Sequence, residues 1–425
     1  MAEVASVFQT KRVGVEATPG TLVQATKLFQ SIGFTVQVKP EIDEFRPDGS
    51  KAVALTVYVR DITDIKVSGK PTYDEMAYIL AMLFGDPTPT NPATGAYVRT
   101  YAMNNYGSDP FKTLTLDMGA NQFWYRAGYM FLKEVNLKVS NKSVDLDGSG
   151  MAQSLSMIAQ NASSSAQYTY TVTATGGTFT ITKGANTTST QAYNVSAATL
   201  QAQLEGLASI GAGNVVVSKV AGVYTISFVN SLADQVVTIT ASGGSLTGGT
   251  GTLASTQTGV ALTTLPLKPI QLTHFDLYLE DTFAALAGAT PISRGFNCEF
   301  NIGDKSDVVK PIRSTVTSFD GVVEKAPKIE CKLTMAADTA GRSMLDVMRA
   351  SGTKYIRIKA VGDIIGATAE RYGLTIDACL RVKDLSGPED SEGIYALNWT
   401  FSVINDATNL PGGFKVTLEN TVAAL

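Results

Sequence analysis

The chain has 425 residues, 44% of them hydrophobic and 17% charged, with a net charge of −4 at pH 7. That length predicts about two to three domains, and that composition excludes a disordered chain. The mild negative charge excludes a surface that grips nucleic acid through its phosphates, which needs a basic face.

The opening residues, MAEVASVFQTKR, lack the basic-then-apolar order of a signal peptide. No apolar run approaches the ~20 residues that span a bilayer. A soluble protein made in the cytoplasm, with no membrane contact, is expected. Gly33-Phe34 opens an alternating strand, and KPEIDEFRPDGSKAV (39–53) follows. This segment has two prolines, seven charged residues among its fifteen, and no apolar alternation for most of its length. Composition alone reads it as a solvated hairpin loop.

KPTYDEMAYILAMLFG (70–85) predicts an amphipathic helix. Thr72 and Glu75 have the form of a capping box, Met76, Ile79, Leu80 and Leu83 recur at helical spacing, and Gly85-Asp86-Pro87 ends the run. Its expected role is to cover one face of a sheet. DLDGSG (145–150) has a partial calcium-loop look but lacks the later carboxylate, and reads as a turn where a strand ends.

Composition then changes. From Asn161 to Leu262 the charged residues are Lys183, Glu205, Lys219 and Asp234, amid Thr, Ser, Gly, Ala and Val. Alternating runs at 168–176, 177–184, 214–220, 222–229 and 235–243 predict strands, and SAATLQAQLEGL (196–207) a helix capped by Ser196. The segment reads as a small inserted β-rich module between two flexible linkers, NASSSAQ before it and SGGSLTGGTGTLASTQTG after it.

The flanks of this insert echo each other. Gly33 matches Gly295 in RGFNCEFNIG (offset 262), Met76 matches Met344 in DTAGRSMLDVMRASG (offset 268), and LTLD from Leu114 matches LTID from Leu374 (offset 260). A duplicated unit of strands, one helix, then strands is the reading; two unrelated β domains with like patterning are the competing one.

Chemistry is sparse. The one histidine, His274, lies in the strand-like IQLTHFDLYLED and reads as an outward strand residue. It leaves no nucleophile–histidine pair elsewhere and no histidine-based zinc site. Cys298, Cys331 and Cys379 support neither a disulfide framework nor a CxxC metal site, and predict a reducing compartment. GPEDSEG (387–393) reads as a solvated hairpin loop, and no phosphate-loop, dinucleotide or nucleophile-elbow motif is present. Neither an enzyme nor a cofactor is expected.

GVEATPGTLVQATKLFQSIGFTVQVKPEIDEFRPDGSKAVALTVYVRD (14–61) with the helix start Tyr73-Asp74-Glu75 resembles the tail tube proteins of long-tailed bacteriophages. The likeness continues through Ile292-Ser293-Arg294, TSFDGVVEKAPKIECKLTM (317–335), KYIRIKAVG (354–362) and EGIYALNWTFSVINDATNLPGGFKVTLEN (392–420). It covers about residues 11–160 and 265–420, and departs from the family at the insert. The insert resembles the immunoglobulin-like or related decoration modules of phage structural proteins.

The resemblance implies a mainly β fold with minor α. Two tail-tube-like β-sandwich or barrel units, 1–160 and 263–425, would each carry a flanking helix, with the module at 161–262 displayed outside. It implies a virion protein assembled in the host cytoplasm into stacked rings, either trimers with pseudo-hexameric symmetry or hexamers. DNA would pass through these rings into the host without being bound. Implied partners are further copies of the chain, the tape measure protein, and the tail terminator and distal tail proteins. It turns residues 39–53 into an arm that docks on the next ring, with Asp43, Glu44, Arg46 and Asp48 as ion-pair formers. The alternative is a surface adhesin, a carbohydrate-binding β protein of a phage or bacterium.

Overall fold

Runs rich in Val, Ile, Thr and aromatic residues become strands. Strands hold 56% of the chain and helices 9%, so the fold is mainly β. The computed structural model describes residues 9–120, 123–158, 165–313, 317–391 and 393–425. Helices among them are α1 (Tyr73–Phe84), α2 (Ala197–Glu205) and α3 (Thr339–Arg349).

The flanks of the insert build two ladders with one plan. The first has β1 (Thr10–Glu16), β2 (Ile32–Phe45), β3 (Leu55–Gly69), β4 (Thr113–Ala120), β5 (Phe123–Ser140) and β6 (Val144–Ala152). The second has β7 (Phe275–Glu280), β8 (Gly295–Gly303), β9 (Lys328–Ala336), β10 (Thr353–Ile364), β11 (Arg371–Ser391) and β12 (Ile394–Val403). All neighbours are antiparallel. The spatial orders are β1-β4-β5-β6-β3-β2 and β7-β10-β11-β12-β9-β8. α1 follows β3 as α3 follows β9.

The residue registers agree with the sequence echo. Val36 pairs with Ile65, and the residues 262 and 268 further on, Cys298 and Leu333, also pair. Val38–Thr63 and Phe300–Cys331 repeat the match. The third echo fails: LTLD lies on β4 and LTID on β11, whereas the counterpart of β4 is β10. The similarity has a local cause. Asp117 on β4 binds Arg126 on β5 at 2.8 Å, and Asp377 on β11 binds Arg357 on β10 at 2.6 Å. The same cross-strand ion pair occurs in both ladders with its ends exchanged.

One hydrophobic core runs from Val13 to Val422 through both ladders. The ladders are joined where β8 pairs with β5, Asn297 opposite Ser140 and Ile302 opposite Val135. α1 packs against β5, β11 and the strands Ala96–Ala102 and Phe414–Asn420, so all of its residues are buried. It is therefore a shared core element, not the amphipathic cover of one sheet, and an all-round buried helix needs no polar face. Its Thr72 cap does accept from the Glu75 N–H at 3.2 Å. The Glu75 carboxylate does not reach back to the cap. It accepts instead from the N–H groups of Gln30, Ser31 and Ile32 at 2.6, 3.0 and 3.0 Å, because the turn before β2 offers three donors where the cap offers one.

A separate core cluster, from Ala166 to Ile239, lies within the insert. Two four-stranded sheets flank it, one with Gln167–Val172, Val215–Val220, Val223–Phe228 and Gly251–Gln257, the other built on Gly176–Lys183 and Thr240–Thr247. The residues expected as the second linker are thus two strands of the module. A turn at Gly248-Gly249 joins them; a Cβ at Gly249 would sit 2.6 Å from Ala174 Cα. Of the first expected linker, residues 161–164 lie outside the described residues. Arg12 on β1 meets Asp234 of the module at 2.8 Å and lies 4.5 Å over the Trp124 ring.

Three further expectations change. His274 ends a single helical turn before β7, with Nδ1 3.1 Å from the Tyr73 hydroxyl, because the strand starts only at Phe275. DLDGSG is the middle of β6, not a turn. Its Gly150 is needed because a Cβ there would lie 2.0 Å from Phe131 O on β5. Gly387–Ser391 belongs to β11, which carries its pairing to Ile394 across the hairpin.

Candidate assembly surface

Each ladder sends out a hairpin between its second and third strands. Arm 1 is the outer part of β2 and β3. Pairing runs from Ile32–Gly69 to Phe45–Leu55, with a bulge at Glu41 and Ile42. β6 covers β3 only along Thr63–Gly69, so the outer part is a two-stranded ribbon. Ser50 N–H donates to Pro47 O at 3.1 Å and Ala54 N–H to Phe45 O at 2.9 Å, closing the turn, with Gly49 at φ 78°. The segment expected as a loop is therefore strand up to Phe45; Val38 and Ile42 are an even number of positions apart and Phe45 an odd number beyond them, so no apolar alternation marks it in the sequence.

Side chains on a strand alternate between faces. Val57, Tyr58 and Val59 are consecutive and all exposed, so both faces of arm 1 show apolar surface. Phe45, Leu55 and Tyr58 are 50%, 57% and 56% exposed, and Val38 and Ile42 are exposed with them. A two-stranded ribbon gains little stability alone, and exposed apolar residues grouped on it in this way make it a candidate interaction surface.

The four charged residues singled out in sequence come together at this tip. Asp43 and Glu44 lie on β2, Arg46 and Asp48 in the turn, and all are exposed. None takes part in an ion pair among the described residues. The arm's ion pairs use residues that sequence reasoning passed over. Glu41 meets Arg60 at 3.3 Å and also Lys310, while Lys39 meets Asp64. The apolar residues were missed as well, although LTVYV (55–59) was legible as a strand whose only polar residue is Thr56.

Arm 2 leaves β8 and returns to β9, with Ser306–Val309 pairing Gly321–Glu324. It is pinned to its own chain. The Lys305 ammonium, 1% exposed, meets Asp109 and Glu324 at 2.5 Å each and lies 4.9 Å from the Phe84 ring centroid of α1. Asp109 N–H donates to Glu324 at 2.8 Å, and Lys305 N–H to Lys133 O on β5 at 2.9 Å. Burial pushes the Asp109 carboxyl up, and the hydrogen bond from Lys305 opposes this. Arm 2 also touches the base of arm 1, where Asp61 N–H donates to Thr317 O at 3.1 Å.

Among the described residues no three His, Cys, Asp or Glu side chains are placed to hold a metal ion. All three cysteines are buried, and a hydrogen bond with Cys298 together with burial pushes the Cys331 thiol well up, which keeps it protonated. No helix among the described residues is long and apolar enough to cross a membrane. No protein-family model matches the chain, and no curated protein matches it.

Proposed function

We propose that the chain is a structural subunit that polymerises into stacked rings, the tail tube of a long-tailed phage, through which DNA passes into the host. The observation that carries this reading is arm 1, a ribbon apolar on both faces with a charged tip and, among the described residues, no third strand beside its outer part. A ribbon of that kind is stable in water only when another surface buries it. The next ring supplies that surface, and Asp43, Glu44, Arg46 and Asp48 form ion pairs with it.

The doubled ladder supports a ring in which each chain contributes two similar units, so that three chains give pseudo-hexameric symmetry. The module at 161–262 is displayed on the outside, held to the ladder by Arg12 and Asp234. The net charge of −4 suits a channel that lets DNA slide.

Negative-stain images of the concentrated protein test the reading. Stacked rings or tubes are expected. A dispersed monomer under all conditions contradicts it, and a fixed small oligomer that binds polysaccharide supports the adhesin alternative instead.

A further inference from the structure

The two ladders share one strand order but differ in what borders them. β8 has a strand on each side, β9 and β5. β2 holds the place of β8 in the first ladder, and among the described residues it pairs with β3 alone. The outer part of β5 lies between β6 and β8. β11 holds the place of β5, and its outer part, from Val382 on, has β12 alone, because β10 and the strand Phe414–Asn420 pair only as far as Arg381. The chain thus makes one β5–β8 joint internally and, among the described residues, leaves open the two edges that would make it again.

The geometry points to a joint between copies, in which β11 of one chain takes β2 of the next, antiparallel, repeating the β5–β8 contact. This deepens the reading of a self-assembling subunit, on which it rests, by naming the lateral contact. The contact is head-to-tail, so copies add in one rotational sense and a closed ring leaves no open edge.

The internal joint also sets a register. Asn136 on β5 faces Asn301 on β8. Across the first ladder, Asn136 aligns with Asp147 and then with Ser68. Across the second, Glu389 aligns with Ala396 and then with Ala336, which is 268 residues beyond Ser68. Glu389 is thus the counterpart of Asn136, and Lys39, 262 residues before Asn301, is the counterpart of Asn301. Lys39 of one copy is therefore set opposite Glu389 of the next. Both are exposed, Lys39 reaching Asp64 of its own chain as well, and opposite charges directly across a strand pair attract. An Asn–Asn pair in the internal joint becomes a Lys–Glu pair between copies.

Variants with one added cysteine, Lys39→Cys and Glu389→Cys, test this, since the three native cysteines are buried. Facing positions in such a ladder bring Cβ atoms within disulfide reach. The two variants are mixed, concentrated and oxidised, and self-association is followed separately by light scattering. The expected result is a covalent heterodimer in the assembled fraction, several-fold more abundant than with the control mixture of Lys39→Cys and Asp346→Cys. Assembly without that cross-link overturns the joint but leaves the tube reading standing. Absence of both assembly and cross-link overturns the two together.

Discussion

Arm 1 and arm 2 leave their ladders at the same place and share a pairing register at the base, yet they end differently. Arm 2 is fastened by a buried ammonium to two carboxylates of its own chain. Arm 1 touches arm 2 at its base and extends beyond it as a two-stranded ribbon with exposed apolar side chains on both faces. The comparison teaches that one hairpin plan can end in two ways: one copy is fastened into its own fold, and the other, on the function proposed above, is completed by a partner.

The largest effect should come from breaking the fastened arm. Lys305→Met leaves Asp109 and Glu324 without their cation, which costs about 3–5 kcal/mol for a buried pair. Chemical denaturation should show that loss, and amide exchange should accelerate along 306–324. A smaller loss is expected at the base of arm 1. Glu75→Ala strands the N–H groups of Gln30, Ser31 and Ile32 and should cost ~3 kcal/mol. Helix α1 should keep its Thr72 cap in that variant.

The free arm should behave in the opposite way. Phe45→Ser with Leu55→Ser removes two exposed apolar groups, so stability should stay within about 0.5 kcal/mol of the parent. Self-association measured by sedimentation should nevertheless be lost. Equal losses of stability and assembly would erase the contrast between the arms.

The smallest effect is on acid. A hydrogen bond from Lys325, then one from the Val308 N–H, holds the Asp307 carboxyl of arm 2 below its ordinary value. A carboxyl lowered in the fold contributes stability above its unfolded value, about 3.9, and loses it as pH falls through the lower folded value. The pair is partly exposed, so the contribution should be only ~0.5 kcal/mol. Asp307→Asn should remove that contribution at neutral pH and flatten the loss below about pH 4. Urea titrations across that range check it.

How much of this was legible in the sequence depended on whether the signal was local. The helix at 73–84 and the strand starts at Gly33 and Gly295 follow from periodicity, which each residue carries itself. The role of Glu75 was not legible, because the turn that takes its carboxylate is distant in sequence. Residues 242–259 looked like linker because Gly, Ser and Thr serve equally in loops and in the outer strands of a small module. The LTLD and LTID match misled because two strands in different places bury the same Asp–Arg pair. At the candidate surface, the charged residues of arm 1 drew attention through composition. Its apolar faces became meaningful only once both were seen to be uncovered.

Hydrogen–deuterium exchange of arm 1 in dilute and in assembled protein tests the central claim most directly. Amides of residues 38–59 should exchange fast in the dilute chain and become protected on assembly, while those of 306–324 stay unchanged. Assembly that leaves 38–59 unprotected would contradict the account.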